Sequence, residues 1–202
     1  MYLVSADPGL SGAITVFESD IPVECINIYK TKDINQKNVI DFHRVVLFLS
    51  RFSGSDFVCE QIWAMKHDTP KTAFSLGRAY ESLLQAAKQA GLTVHTVAPL
   101  KWKKDSDFTS KSKDEVSLVM HSLYPVLLPK TPKGNINHNK ADSIAIGLWW
   151  IEHGKSQHEL ELIKEAKRAE RAKKLKVAKR ARAKSEKAKN TVPKTNKKKK
   201  EQ

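Results

Sequence analysis

Three acidic residues stand beside strongly apolar segments, where a charge contributes nothing to packing. Asp7 follows an apolar run in DPGLSG, Glu60 stands in VCEQIW, and Asp142 stands in HNKADS, just before an apolar helical pattern. An ionised carboxylate on a core element is costly unless it is paired or binds a metal. Because Mg²⁺ takes oxygen ligands and keeps several waters for a phosphate substrate, the three acids together predict a magnesium site.

Each of these acids also has an ordinary explanation when it is considered singly. Asp7 before Pro-Gly is a common turn residue, and Glu60 can be a paired charge at a strand end. Asp142 can be an acid that the helix dipole favours in a first turn. All three, however, stand where a predicted strand ends or a predicted helix begins, and this joint placement favours the metal site.

The segments that carry the acids predict a mixed α/β fold. The predicted strands are residues 1–6, 13–17, 23–29, 56–61 and 92–97. The predicted helices are residues 38–52, 69–90, 113–123 and 139–152, with Thr69 and Ser112 as N-caps. This order indicates an antiparallel first half of the sheet and parallel crossovers in the second half.

The positive charge of the chain is concentrated at its C-terminus. The formal net charge is +14, and residues 159–202 hold 18 of the 36 lysines and arginines but only six of the 22 acidic residues. We therefore predict a folded domain over residues 1–158 and a basic tail over residues 159–202, partly helical and then disordered. Such a tail favours nucleic acid, because its cations release the counterions condensed on phosphates. An anionic membrane surface is a weaker alternative, because the tail has little apolar face.

Cysteine content and hydropathy point to an intracellular protein. Cys25 and Cys59 are too few for a disulfide framework and favour a reduced compartment. No segment approaches the roughly 20 apolar residues of a membrane span, and the N-terminus lacks the pattern of a signal peptide. We expect a cytoplasmic protein with no membrane association, located in the host cytoplasm if a phage encodes it.

The motifs around the acids resemble those of the RuvC family of Holliday junction resolvases, in the RNase H-like superfamily, over about residues 1–153. DPGLSGA is similar to the first motif of that family, CEQIWA to the second and HNKADSIAIGLW to the third. Between them, FSLGRAYESL resembles the LG-x-A-x-G helix, while VAPLKWK and KSKDEV resemble two lysine-bearing segments. The resemblance implies an RNase H-like mixed sheet flanked by helices, in a phage-type or divergent member of the family.

The resemblance also implies a reaction and a substrate. Asp7 is expected to bridge two Mg²⁺ ions, with Glu60 on one side and Asp142 on the other, and Mn²⁺ can replace Mg²⁺. Phosphodiester hydrolysis then leaves a 5′-phosphate and a 3′-hydroxyl. A homodimer would match the symmetry of a four-way junction and place symmetric nicks in two of its strands.

One position departs from the family pattern. Three residues before the final aspartate the family usually has Asp or His, whereas this chain has Asn139, with His138 one place earlier. Asn139 can offer a carbonyl oxygen as a metal ligand but no charge. His138 can act as ligand or general base, or it can be an ordinary surface histidine. The sequence leaves the identity of the fourth ligand open.

Basic and aromatic residues near the motifs are candidate DNA contacts. A basic cluster lies between a predicted strand and a predicted helix and contains Lys101, Lys103, Lys104, Lys111 and Lys113. These lysines can be a solvated loop, but the resemblance implies that they face phosphates, with Lys113 closest to the chemistry. Trp63 can be a packing aromatic, whereas the resemblance implies stacking on an unpaired base. Gly77 and Arg78 open a helix face that forms part of the dimer interface in this family, and Arg78 is a further candidate DNA contact.

Two alternatives to junction resolution remain open at this point. The same site can serve a broad nuclease that cuts flaps and forks, as in some phage relatives of the family. The substitution at Asn139 also allows a protein that binds junctions without cutting them.

Overall fold

A computed structural model describes residues 2–66 and 68–154, together with Arg168 and Arg171. The chain divides into two units, Met1–Gly154 and Lys155–Gln202. The basic tail expected over residues 159–202 therefore lies outside the described residues, apart from the two arginines. In the part of the chain that is described, no helix is both long enough and apolar enough to cross a membrane.

The first unit alternates strands and helices in a mixed order. In sequence the elements are β1 (Tyr2–Asp7), β2 (Ala13–Glu18), β3 (Ile21–Asn27), β4 (Lys30–Lys32), β5 (Asn38–Ile40), α1 (Phe42–Ser50), β6 (Asp56–Glu60), α2 (Pro70–Gln89), β7 (Thr93–Val97), α3 (Pro99–Asp105), α4 (Lys113–Leu123) and α5 (residues 138–154). The main sheet has the strand order β3-β2-β1-β6-β7. β1, β2 and β3 pair antiparallel, whereas β6 runs parallel to both β1 and β7. The predicted mixed α/β sheet is confirmed.

The sheet lies between two helical layers because its strands are apolar on both faces. Val4 and Phe57 point to the face that α1 and α2 cover. Val58 points to the opposite face, where α3, α4 and α5 contribute buried side chains such as Trp102 and Ile144. Neighbouring strand residues thus alternate between the layers. This alternation decides which layer each functional side chain faces.

α5 lies unusually close to the sheet. A side chain at Gly147 would overlap the ring of Phe17 and the hydroxyl of Ser5. The Ser5 hydroxyl donates to the carbonyl oxygen of Ser143 at 2.6 Å, and the Ser143 and Thr15 hydroxyl oxygens are 2.6 Å apart. These buried hydrogen bonds join α5 to β1 and β2 and fix the depth of the helix on the sheet.

The structure differs from the sequence prediction at two places. The helix predicted over residues 38–52 begins only at Phe42, because Asn38–Ile40 form β5 and pair antiparallel with β4. The side chain of Asp41 then caps α1 by accepting from the backbone N–H of Arg44. No helix was predicted over the basic cluster, but its first half forms α3, which follows β7 almost directly. The predicted caps Thr69 and Ser112 are confirmed.

Candidate active site

Asp7 and Glu60 end two neighbouring parallel strands. The register pairs Ala6 of β1 with Cys59 of β6, so the two acids follow at the same edge of the sheet. Because side chains alternate along a strand, Asp7 shares a face with Ser5, and Glu60 shares it with Val58. This is the face that α5 covers.

Asp142 reaches the same place from α5. The helix begins after Asn137, whose side-chain oxygen accepts from the backbone N–H groups of Asn139 and Lys140 at 3.1 and 3.2 Å. Asp142 follows about one turn later, immediately before Ser143 and its hydrogen bonds to the sheet. The hydroxyl contacts beneath α5 therefore also hold Asp142 over the strand ends.

The three carboxylates line one cavity of about 690 Å³. Its remaining walls are the β1–β2 loop, the N-terminal half of α2, Lys103 of α3, Lys113 of α4 and Asn139 of α5. The loop turns back sharply beside Asp7: a side chain at Gly12 would overlap the Asp7 carbonyl oxygen, and Gly9 has φ +131°. Glycine is therefore required for this turn.

All three carboxylates resist ionisation. Burial, followed by the charges of Glu60 and Asp142, raises the pKa of Asp7 to about 8, against an ordinary 3.8. Burial also raises the pKa of Glu60 and of Asp142. Lys103 and Lys113 lower all three pKa values without restoring the ordinary ones. Full ionisation of the three acids is thus unfavourable with only the two lysines to offset their charges.

Divalent cations suit this donor set. A hard cation such as Mg²⁺ prefers carboxylate oxygens, and its charge would oppose the burial and the neighbouring acids that raise the pKa of Asp7. Among the described residues, however, no three His, Cys, Asp or Glu side chains already stand at metal-ligand spacing. The three acids nevertheless line one cavity, and their oxygens are of the kind that a divalent cation prefers.

Trp102 is a residue of the candidate site that the sequence analysis missed. Its indole Nε1–H donates to Glu60 Oε1 at 2.9 Å, and the side chain is completely buried. The Nζ of the next residue, Lys103, lies 5.1 Å from the centre of the indole. α3 therefore contributes one residue that holds a carboxylate and one that lines the cavity. A single aromatic inside the basic run PLKWKKD is the signal that could have indicated an anchored segment.

The structure separates the two candidates for the fourth ligand. Asn139 lines the cavity, and its Nδ2 donates to the carbonyl oxygen of Ser11 at 2.5 Å. Because that carbonyl can only accept, the Asn139 side-chain oxygen is the atom left for another partner. His138 does not line the cavity and contacts α4, with Nδ1 2.9 Å from the Ser117 hydroxyl and Nε2 3.5 Å from Asp114 Oδ1, although it lies near enough to Asp142 to lower the pKa of that carboxyl.

The candidate DNA contacts divide into two groups. Lys103 and Lys113 line the cavity, whereas the remaining candidates lie outside it: Trp63, Arg78, Lys101, Lys104 and Lys111. Trp63 is 51% exposed in the segment after β6, and Lys101 forms an ion pair with Asp105 at 2.8 Å. Arg78 lies on the exposed half of α2 with its guanidinium 5.8 Å from the ring of Phe74. None of these five residues lines the cavity that holds the three carboxylates.

Comparison with known proteins identifies the fold. No protein-family model matches the sequence, and no curated protein matches it. Among solved structures, RuvC from Thermus thermophilus is similar, with a TM-score of 0.51 and 20% identity over 78% of this chain and 97% of that one. A structure of T. thermophilus RuvC in complex with a Holliday junction substrate gives a TM-score of 0.49 and 18% identity over 77% and 96%. The chain has a RuvC-like, RNase H-like fold.

Proposed function

We propose that this chain is a metal-dependent endonuclease that resolves four-way DNA junctions. The observation that carries the proposal is the cavity in which three carboxylates, one with a pKa of about 8, face two lysines on a RuvC-like fold. Clustered carboxylates attract divalent cations, and ammonium groups attract phosphate. A metal-dependent phosphodiesterase can use both.

The residues of the cavity would have two roles, metal binding by the acids and phosphate binding by the lysines. Asp7, Glu60 and Asp142 would hold two divalent ions, Mg²⁺ or Mn²⁺. When bound, such ions supply positive charge that activates water and stabilises the leaving oxygen of an in-line displacement. Lys103 and Lys113 would bind phosphate oxygens and set the scissile group against the carboxylates. The products would be a 5′-phosphate and a 3′-hydroxyl.

We assign the fourth oxygen ligand to Asn139 rather than to His138. Asn139 lines the cavity and its amide nitrogen is already used, which leaves its oxygen available. His138 is tied to Asp114 and Ser117 on α4, the helix that begins at Lys113. In this assignment His138 links α5 to the helix that carries the cavity lysine.

Junction selectivity would come from a homodimer that presents two cavities to two strands. The exposed half of α2 offers a surface for a second copy: Phe74 is 68% exposed, and the Gly77 backbone has open space beside it. Trp63 and the lysines outside the cavity would contact the junction arms. The basic tail would add affinity that does not depend on DNA sequence.

The full chain tests this proposal with four synthetic substrates: a four-way junction, a linear duplex, a flap and a fork. With Mg²⁺ we expect paired symmetric nicks in the junction, which a ligase can reseal because the ends are 5′-phosphate and 3′-hydroxyl. Equal cutting of flap and fork would instead indicate a broad branched-DNA nuclease. Binding of the junction without any cleavage would indicate a non-cleaving junction-binding protein.

Lys113→Ala is expected to lower kcat/KM for junction cleavage roughly 10- to 100-fold. A charge-assisted hydrogen bond to phosphate contributes about 1.5–3 kcal/mol, and Lys113 lies at the cavity wall. Because the residue is exposed at the first position of α4, the thermal stability of the fold should hardly change. Single-turnover cleavage and a melting curve on the same preparation measure both quantities.

Lys111→Ala is the matched control for this variant. Lys111 is an exposed lysine two residues earlier that does not line the cavity. We expect its loss to reduce cleavage less than about threefold, since it contributes only general attraction to phosphate. Equal losses in the two variants would show that Lys113 has no special place beside the scissile phosphate.

A further inference from the structure

Glu60 is the only one of the three cavity acids whose carboxylate accepts a side-chain hydrogen bond within the described residues. Trp102 Nε1–H donates to its Oε1 at 2.9 Å. This hydrogen bond fixes which of the two Glu60 carboxylate oxygens faces the indole.

We propose that Trp102 is a positioning residue that holds Glu60 for one-oxygen coordination and so makes the site selective for Mg²⁺ over Ca²⁺. With Oε1 engaged by a fixed donor, Oε2 is the oxygen that can turn to a cation. This inference rests on the proposed function, because it assumes that Glu60 is a metal ligand.

The surroundings of Trp102 allow it to act as a fixed donor. Its side chain is fully buried, and its ring meets the edge of Phe108 with centroids 6.4 Å apart. α3 begins at Pro99, two residues after the last residue of β7, and β7 is the parallel neighbour of β6. The indole is thus held by the same part of the sheet that carries Glu60.

Mg²⁺ and Ca²⁺ make different demands on a carboxylate. Mg²⁺ requires nearly ideal octahedral geometry, whereas Ca²⁺ takes more oxygens and often binds both oxygens of one carboxylate. Coordination by both oxygens requires the carboxylate plane of Glu60 to turn toward the ion. That rotation would lengthen or break the hydrogen bond to Trp102. The buried indole therefore penalises Ca²⁺ more than Mg²⁺.

The chain contains a matched control for this hydrogen bond. Trp149 is 2% exposed, and its Nε1–H donates to Asp105 Oδ2 at 3.0 Å. Neither Trp149 nor Asp105 lines the carboxylate cavity. Trp149→Phe therefore removes the same kind of indole–carboxylate bond from the same structural layer without touching Glu60.

Calorimetric titration of the full chain with MgCl₂ alone and with CaCl₂ alone, without DNA, tests the proposal. For Trp102→Phe we expect Mg²⁺ affinity to fall roughly tenfold, the range for losing a partner that orients a metal ligand, and Ca²⁺ affinity to fall less or to rise. Trp149→Phe should keep the Mg²⁺/Ca²⁺ affinity ratio within about twofold of the wild type. An unchanged ratio in folded Trp102→Phe overturns the proposal, because Trp102 would then only fill space.

A second measurement uses the wild-type chain and does not depend on the folding of the variant. The indole N–H signal of Trp102 in a ¹⁵N-labelled sample can be assigned by elimination with Trp63→Phe, Trp149→Phe and Trp150→Phe. We expect it to remain protected from hydrogen exchange with Mg²⁺ and to lose protection with Ca²⁺. Equal protection with both ions overturns the proposal. Absence of any binding of either ion would overturn the proposed metal site itself, which is a distinguishable result.

Discussion

Asp7→Asn is expected to abolish junction cleavage while leaving junction binding intact. Metal ions contribute several kcal/mol to such reactions, so losing the central ligand should lower the single-turnover rate at least about 10³-fold. Binding measured without metal should be unchanged or tighter, because one negative charge beside the bound phosphates is gone. Cleavage of a labelled junction and a binding titration measure the two effects.

The effect should be largest at Asp7 because this carboxylate is central to the cluster. It ends β1, the middle strand of the sheet, beside Glu60 of β6. The charges of both Glu60 and Asp142 raise its pKa, which shows that both acids act on it. Asparagine keeps the shape of the side chain, so the turn into the β1–β2 loop is preserved. The change therefore removes the charge with little disturbance of the fold.

Asp56→Asn is the matched control for this variant. Asp56 begins β6 at the opposite end from Glu60, and it is exposed beside His95. The same change of charge at that end should leave cleavage within about threefold of the wild type. Cleavage by Asp7→Asn at more than a tenth of the wild-type rate would show that the metal site is not centred on Asp7.

The positions of the acids could be predicted because strands have a fixed period. A carboxylate directly after an apolar run must emerge at the end of a strand, and parallel strands end at the same edge of a sheet. Asp7 and Glu60 satisfy that rule through the pairing of β1 with β6. The position of Asp142 near the start of a helix could be predicted from the apolar helical pattern that comes after it. The sequence pattern thus predicted the cavity acids without any distance information.

α3 could not be predicted because its stability comes from a contact distant in sequence. PLKWKKD contains only two large apolar residues, Leu100 and Trp102, among its lysines, and their spacing gives no helical stripe. The segment is fixed by burial of Trp102 against residues of β6 and of α5. Sequence spacing alone therefore predicted no helix there and missed the hydrogen bond to Glu60.

The error over residues 38–52 has a similar physical origin. Val39 and Ile40 fit the apolar spacing of a helix, but β-branched residues also favour strands. The pairing with Lys30–Lys32 and the cap at Asp41 decide between the two structures. Local periodicity indicates neither contact. The strand pairing joins residues on the two sides of a turn, and the cap at Asp41 depends on where the helix begins.

The metal-free protein is expected to lose stability as the pH rises from 5.5 to 8.5. The folded pKa of Asp7 is about 8, above the ordinary 3.8 expected when the chain is unfolded. The neutral form of a buried acid thus stabilises the fold fully below 3.8, and this contribution is lost as the pH rises to about 8. The slope is at most about 1.4 kcal/mol per pH unit, and water in the open cavity reduces it.

Over this range we expect a loss of about 1–3 kcal/mol, which lowers the Tm by roughly 3–10 °C for a chain of this size. Melting curves in the presence of a chelator measure it. Groups with a lowered pKa, such as Asp33 and Asp105, lose their contribution to stability only at acidic pH, below the range from 5.5 to 8.5. The two cysteines have raised pKa values, so their effect on stability changes only above that pH range.

Asp7→Asn isolates the contribution of the cavity. The asparagine variant should melt at a higher temperature than the wild type at pH 8.5, and the difference should shrink toward pH 5.5. Subtracting the two curves removes the contribution of groups far from the cavity. Mg²⁺ should then stabilise the wild type most at high pH, where Asp7 is ionised and repelled by its neighbours, and should hardly stabilise the variant. Parallel pH profiles for the two metal-free proteins would mean that Asp7 ionises normally, and the cavity would then lack the uncompensated charge that the proposed metal site requires.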